Sequence, residues 1–133
     1  MNCRTMLLAM AGMAVSAVTA SAHHSLDKTY DLKKEVRLEG KVLHLLLRNP
    51  HSFLQFEAPD ASGTIQRWSL EWTGAGSLAK ADIKLDTLKN GDALVVTLHP
   101  SFTAGDHRGV LSTLHRESDG LTWDAHPKKR PKS

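Results

Sequence analysis

The sequence predicts an all-β fold, mainly antiparallel: a small OB-like barrel of five to six strands with one short helix. Three observations predict it. Short segments alternate apolar with polar residues, turn signals separate them, and the order is three strands, a helix, then two or three strands. A simple antiparallel sandwich is the alternative that the same pattern allows.

The first strand lies within "EVRLEGKVLHLLLRNP". Val36, Leu38 and Val42 fall on one face, with Arg37, Glu39 and Lys41 on the other. Gly40 interrupts the alternation, which in a strand points to a bulge or bend. Asn49-Pro50 ends the strand with a turn signal. "SFLQFEA" is the second strand and "PDASG" the hairpin loop after it. "TIQRWSLEW" is the third, with Trp68, Leu70 and Trp72 alternating against Arg67, Ser69 and Glu71. Large aromatic residues on one face suit a barrel core. "TGAGSLAKADI" is the one helical stretch, and Asn90-Gly91 signals a turn before the fourth strand, "ALVVTLH". A loop, "PSFTAGDHRG", leads to the fifth strand, "VLSTLHRE". Ser118-Asp119-Gly120 then turns the chain into a short sixth strand, "LTW".

The start of the chain reads as a secretory leader. Arg4 supplies a positive n-region, and residues 6–18 form an apolar run of h-region length. That run is too short for a membrane-spanning helix, which takes about 20 apolar residues. Ala20 and Ala22 form an A-x-A pattern, so cleavage is expected after Ala22. A buried N-terminal helix is the competing reading; charge, length and small residues together weigh against it. The expected organisation is a leader at 1–22, a barrel domain at 23–124 and a disordered basic tail at 125–133. A periplasmic or secreted protein follows, with no transmembrane segment in the mature chain.

Cleavage would leave 111 of the 133 residues, enough for one core, and would lower the formal charge from +3 to +2. The only cysteine, Cys3, lies in the leader and ahead of its apolar run, so it is no lipobox cysteine. The mature chain thus has no disulfide, no thiolate zinc site and no thiol nucleophile. Much of the basic excess sits in the tail "HPKKRPKS", which reads as a solvated end. No basic–aromatic interleaving argues for nucleic acid.

Several motifs, taken in order, carry a resemblance. "AHHS" at the leader junction, "GKV" on the first strand, "NPHSF" after it, "WSLE" on the third strand and "LKNGDALVVT" before the fourth are similar to the domain-of-unknown-function family numbered 6152. The resemblance covers about residues 22–123. It implies a small periplasmic barrel-like domain and no established activity. His23, His24, Asn49, Pro50 and His51 match its recurring positions. The chain departs from the pattern after the third strand, where "TGAGS" replaces a glycine-serine-proline-asparagine stretch, so a ligand loop there can differ.

All eight histidines of the chain fall after Ala22: His23, His24, His44, His51, His99, His107, His115 and His126. Without cysteine, a transition-metal site must draw on imidazole, carboxylate or the chain terminus. A chain beginning at His23 offers its amine and its own ring to Cu(II) or another divalent metal. A second imidazole completes three nitrogens in the square-planar manner that Cu(II) favours. His24, His51, His99 and His107 are possible sources, and the proposed ligand set is His23, His24 and His51. Against it stand plainer roles. The His-His doublet can be polar residues beside a cut, and His51 can cap the turn by bonding a backbone carbonyl. His44 and His115 belong to strands, His107 to a solvated loop tip and His126 to the tail.

The second functional reading is a metal-free interaction module that binds a periplasmic protein or envelope polymer across the barrel face. Phe53, Trp68 and Trp72, with Trp123, are the residues that could stack on such a ligand. The opposing reading places most of the seven aromatic residues in the core. Enzyme signatures are absent. There is no G-x-S-x-G, no phosphate loop and no paired carboxylates, and Glu71 is expected to be solvated.

Overall fold

The computed structural model describes residues 26–127. The expected leader, the doublet His23-His24 and the last six residues lie outside them. The elements in chain order are β1 (Val36–Leu46), β2 (His51–Pro59), β3 (Ile65–Thr73), α1 (Ala75–Lys80), β4 (Ala93–Pro100), β5 (Arg108–Arg116) and β6 (Leu121–Asp124). The sheet order is β3-β2-β1-β4-β5-β6, all antiparallel, and a parallel pairing of β3 with β5 closes strands one to five into a barrel. With the helix between β3 and β4, this is the OB-like arrangement that the element order predicts. β6 adds to the outside of the closed set.

β1 serves two partners. Val36–Lys41 pairs with β4, and residues 41–46 pair with β2. The break in alternation lies later than Gly40. Leu43 is an extra residue between the pairs Val42↔Phe56 and His44↔Gln55. This bulge shifts the phase, so Val42 and Leu45 both point inward and His44 stays exposed. The Asn90-Gly91 turn seals it: Asn90 Nδ2 donates to Leu43 O (2.9 Å) and Gly91 N–H to Val42 O (2.8 Å). Gly91 takes φ +88°, open to glycine without strain. Gly40 has a different task. It sits where β1 passes close to β2, and a Cβ there would stand 2.0 Å from Glu57 O.

Inward residues of β2 and β3 fill the barrel: Leu54, Phe56 and Ala58 face Leu70 and Trp72. From β4 and β5 come Leu94, Val96, Leu98, Leu111 and Leu114. α1 closes one end with Leu78, and the chain after it adds Ile83 and Leu88. In the hairpin loop, Asp60 accepts hydrogen bonds from the Ser62 and Thr64 amides and from Gln66 Nε2. The Ser62 hydroxyl, foremost, holds its carboxyl down to about 2.

Two stretches differ from expectation. Residues 26–29 form a helical turn ahead of the one expected helix, and Tyr30 bridges Ser101, which ties this part of the expected domain to the barrel. The expected tail also begins with order, since Ala125 N–H donates to Ser112 O (2.9 Å) and His126 N–H to Asp124 Oδ1 (2.7 Å). Among the described residues, no helix is long and apolar enough to cross a membrane.

Candidate functional site

The outer face of β2 and β3 carries the site. β2 alternates strictly, with Ser52, Leu54, Phe56 and Ala58 buried and His51, Phe53, Gln55 and Glu57 outward. On β3 the outward set is Arg67, Ser69, Glu71 and Thr73. The register pairs His51 with Thr73 and Phe53 with Glu71, so His51 and Glu71 are diagonal neighbours.

The Asn49-Pro50 turn, whose peptide bond is cis, delivers His51 to that face. Ser52 ties the turn together. Its Oγ accepts from the Arg48 amide (3.1 Å) and donates to Arg48 O (3.2 Å), and the residue is fully buried. The start of α1 packs on the same turn. Ala75 N–H donates to Arg48 O (2.8 Å) and Gly76 N–H to Asn49 Oδ1 (3.3 Å). Gly74 permits the approach, because a Cβ there would lie 2.6 Å from Pro50 O. The "TGAGS" stretch is therefore the seat of the "NPH" turn.

His51 does not cap the turn through a carbonyl; Ser52 does that work. His51 Nδ1 instead lies 2.5 Å from Glu71 Oε1. The other carboxylate oxygen, Oε2, accepts from the Tyr30 hydroxyl at 2.6 Å. Glu71, expected to be solvated, has a side chain only 14% exposed, against 31% for His51. Tyr30 is 4% exposed. A carboxylate only accepts, so Nδ1 carries a proton, and in the neutral imidazole Nε2 is then the nitrogen with the lone pair. Among the described residues, Nε2 has no hydrogen-bond partner.

The segment ahead of β1 brings Tyr30 to this place. Asp31 N–H donates to Pro100 O (2.8 Å) and Phe102 N–H to Thr29 O (3.3 Å), laying the segment along the loop between β4 and β5. That loop adds charge. Arg108 Nε donates to Asp106 Oδ2 (2.7 Å), and this bond foremost lowers the Asp106 carboxyl below the usual range. Burial, then the bond to Glu71 and its negative charge, push the Tyr30 phenol well above its ordinary range.

A pH dependence follows from that shift. Tyr30 is the only tyrosine, so phenolate absorbance reads it alone. Ionisation is expected only well above pH ~10, the ordinary phenol value. Between the two pKa values the unfolded chain has released a proton that the folded chain keeps. The stability due to Tyr30 is therefore full below about pH 10 and falls above it, at up to about 1.4 kcal/mol per pH unit. Denaturant midpoints of Tyr30→Phe should lack that part of the decline. An ordinary phenol titration near pH 10, with identical declines in both proteins, would contradict the burial argument.

The other expected site residues scatter. His23 and His24 lie outside the described residues. Trp72 is no ligand platform: it is 2% exposed, in the core, edge-to-face with Trp123 at 5.3 Å. Trp68 is half-buried and packs on that core, and its ring meets His107 at 5.0 Å. His107 is thus not a free loop tip. Of the three proposed stacking residues, only Phe53 stands on the outer face, half-buried between Leu46 of β1 and Glu71 of β3 in register. His99 Nδ1 is engaged with Lys34 O at 2.8 Å, and His44 and His115 are exposed. Among the described residues, no three His, Cys, Asp or Glu side chains group so that they could hold a metal ion.

Sequence reasoning missed Glu71 and Tyr30. Alternation alone places Glu71 outward, and nothing local says that a tyrosine 41 positions away will cover it. A family model describing a family of unknown function matches residues 10–111. No curated protein matches the chain.

Proposed function

The chain belongs to DUF6152, a family of unknown function, and from its own geometry we propose that it is a secreted binding domain for one divalent metal ion. Copper is the metal its ligands favour. The ion is held between the processed N-terminus and His51. His23 supplies the amine and its ring, and His51 supplies Nε2. His24 stands beside them in the chain as a further imidazole.

One observation carries this reading: the His51–Glu71–Tyr30 chain. A ligating histidine characteristically donates its other ring N–H to a carboxylate, which fixes the tautomer and raises ligand basicity. His51 has that arrangement already, with Nε2 left free. The same carboxylate is bonded by Tyr30, which belongs to the segment that continues back to the histidine doublet. His24 stands only two positions before Leu26, where the described chain begins. Three nitrogens, one an amine, suit Cu(II) above the other divalent metals.

The test is a copper titration of protein exported with its own leader. Intact mass should show a chain starting at His23. Electron paramagnetic resonance should show one Cu(II) per chain in a mainly nitrogen environment. An added N-terminal methionine removes the chelating amine and should abolish tight binding. His51→Ala should weaken it by more than roughly tenfold. A correctly processed chain that takes up copper only weakly and without stoichiometry would overturn the proposal.

Phe53 favours a second reading, a metal-free module that binds a protein or polymer on the β2–β3 face. It is the one aromatic residue of the proposed platform left outside the core. Under that reading Phe53→Ala abolishes partner binding, and the N-terminal extension changes nothing.

A further inference from the structure

We infer that Glu71 is a positioning residue that fixes which nitrogen His51 presents, and that Tyr30 ties the segment ahead of β1 to the same carboxylate. This rests on the metal-binding reading above, but its first readout needs no metal.

The geometry leaves the carboxylate little freedom. Oε1 takes His51 Nδ1 at 2.5 Å and Oε2 takes the Tyr30 hydroxyl at 2.6 Å, so one carboxylate holds two residues from separate segments, the stretch ahead of β1 and the start of β2. Glu71 is itself held on both sides, by β2 through the Phe53 pair and by β5 through the Val110 pair. A rotation that freed Oε1 from His51 would also strip a buried tyrosine of its acceptor. An unpaired buried hydroxyl is costly, so the two bonds hold each other in place. Whenever the imidazole is neutral, this arrangement selects its Nδ1–H tautomer and leaves the lone pair on Nε2, at a side chain 31% exposed.

Tyr30 does a second job. Its backbone bridges Ser101, and its neighbours bond Pro100 and Phe102 along the β4–β5 loop. Its hydroxyl then pins the segment to the same carboxylate that orients His51. One carboxylate therefore orients the imidazole and anchors the described segment that carries Tyr30. Glutamine at position 71 keeps the shape but loses this selectivity, because an amide can accept from Nδ1–H or donate to an unprotonated Nδ1.

The experiment begins with long-range 15N NMR of the histidine rings in the metal-free, processed protein, at a pH about two units above the ordinary imidazole value of ~6.5. Wild type should show His51 as the Nδ1–H tautomer. Tyr30→Phe should keep that tautomer, and Glu71→Gln should lose it or mix it with the Nε2–H form. Cu(II) titration of the same samples should then give an affinity about 10–100-fold lower for Glu71→Gln. It should fall for Tyr30→Phe as well, through the loosened segment. Denaturation curves identify any variant that fails to fold, in which case Glu71→Asp, with a shortened reach, replaces it and should show the same mixed tautomer. A wild-type His51 in the Nε2–H form, or an unchanged tautomer in folded Glu71→Gln, overturns the inference. The expected tautomers together with no stoichiometric copper overturn the metal reading and leave the positioning of His51 standing.

Discussion

Gly40→Ala is expected to unfold the barrel or to cost it a large part of its stability. The added Cβ would lie 2.0 Å from Glu57 O and 2.9 Å from Ala58 Cβ, both on β2. Neither obstacle is the tip of a flexible side chain, so relief requires β2 to move away from β1. Over-packing a core costs about 1–3 kcal/mol and sometimes more. Here the strain falls on backbone at the point where β1 changes partner from β4 to β2, so the upper end of that range or beyond is expected. A domain of this kind has only about 5–15 kcal/mol to lose. Urea midpoints followed by tryptophan fluorescence check it. Gly76→Ala is the control, since its Cβ would meet nothing nearer than Asn49 Oδ1 at 4.0 Å. That change should be neutral, or stabilising by up to about 1 kcal/mol from helix propensity. Equal midpoints for wild type and Gly40→Ala would refute the close-approach account.

Trp72→Ala is expected to cost about 3–5 kcal/mol, the usual loss for a buried aromatic residue. The indole is among the largest fully buried side chains, and its edge-to-face partner Trp123 loses its contact with it. Trp72→Phe should cost much less. It keeps a ring in the same place and gives up an indole N–H that has no partner among the described residues. A ligand platform would behave in the opposite way: Trp72→Ala would leave the urea midpoint alone and remove only binding. The midpoint therefore separates the two roles directly.

The barrel was legible because each strand announces its inward face. Trp68, Leu70 and Trp72 alternate with polar residues, and so do the residues of β2, and turn residues bound every segment. The order of elements then restricts closure to few solutions. The bulge was harder to place. Gly40 interrupts the pattern visibly, yet the extra residue is Leu43, an apolar side chain among apolar neighbours that carries no mark of its own. The domain was expected to include the stretch before β1, but its structure was not legible, because it has no periodicity and is ordered by backbone bonds to a loop some 70 positions further on. The site split along the same line. His51 stands out beside its turn. Its partners do not, since Glu71 becomes buried only when Tyr30 arrives from that unpatterned segment. The aromatic residues misled for a simpler reason: alternation says which residues share a face, and the face holding Trp68 and Trp72 is the inner one.

The way β5 divides its edge bears on how this chain behaves in crowded solution. Ring closure uses only three residue pairs, Ser69↔Arg108, Leu70↔Gly109 and Glu71↔Val110. Beyond them β5 would offer a second stretch of unpaired backbone to any passing strand. β6 occupies that stretch, from the pair Thr113↔Asp124 to Arg116↔Leu121. On this side of β5 the border left exposed is β6, four residues long, with an aspartate at its end and Pro127 shortly after. Short, charged, proline-flanked borders are poor templates for sheet growth between molecules. The sixth strand thus covers the stretch of β5 that ring closure leaves open, at the cost of one hairpin appended to a ring already complete.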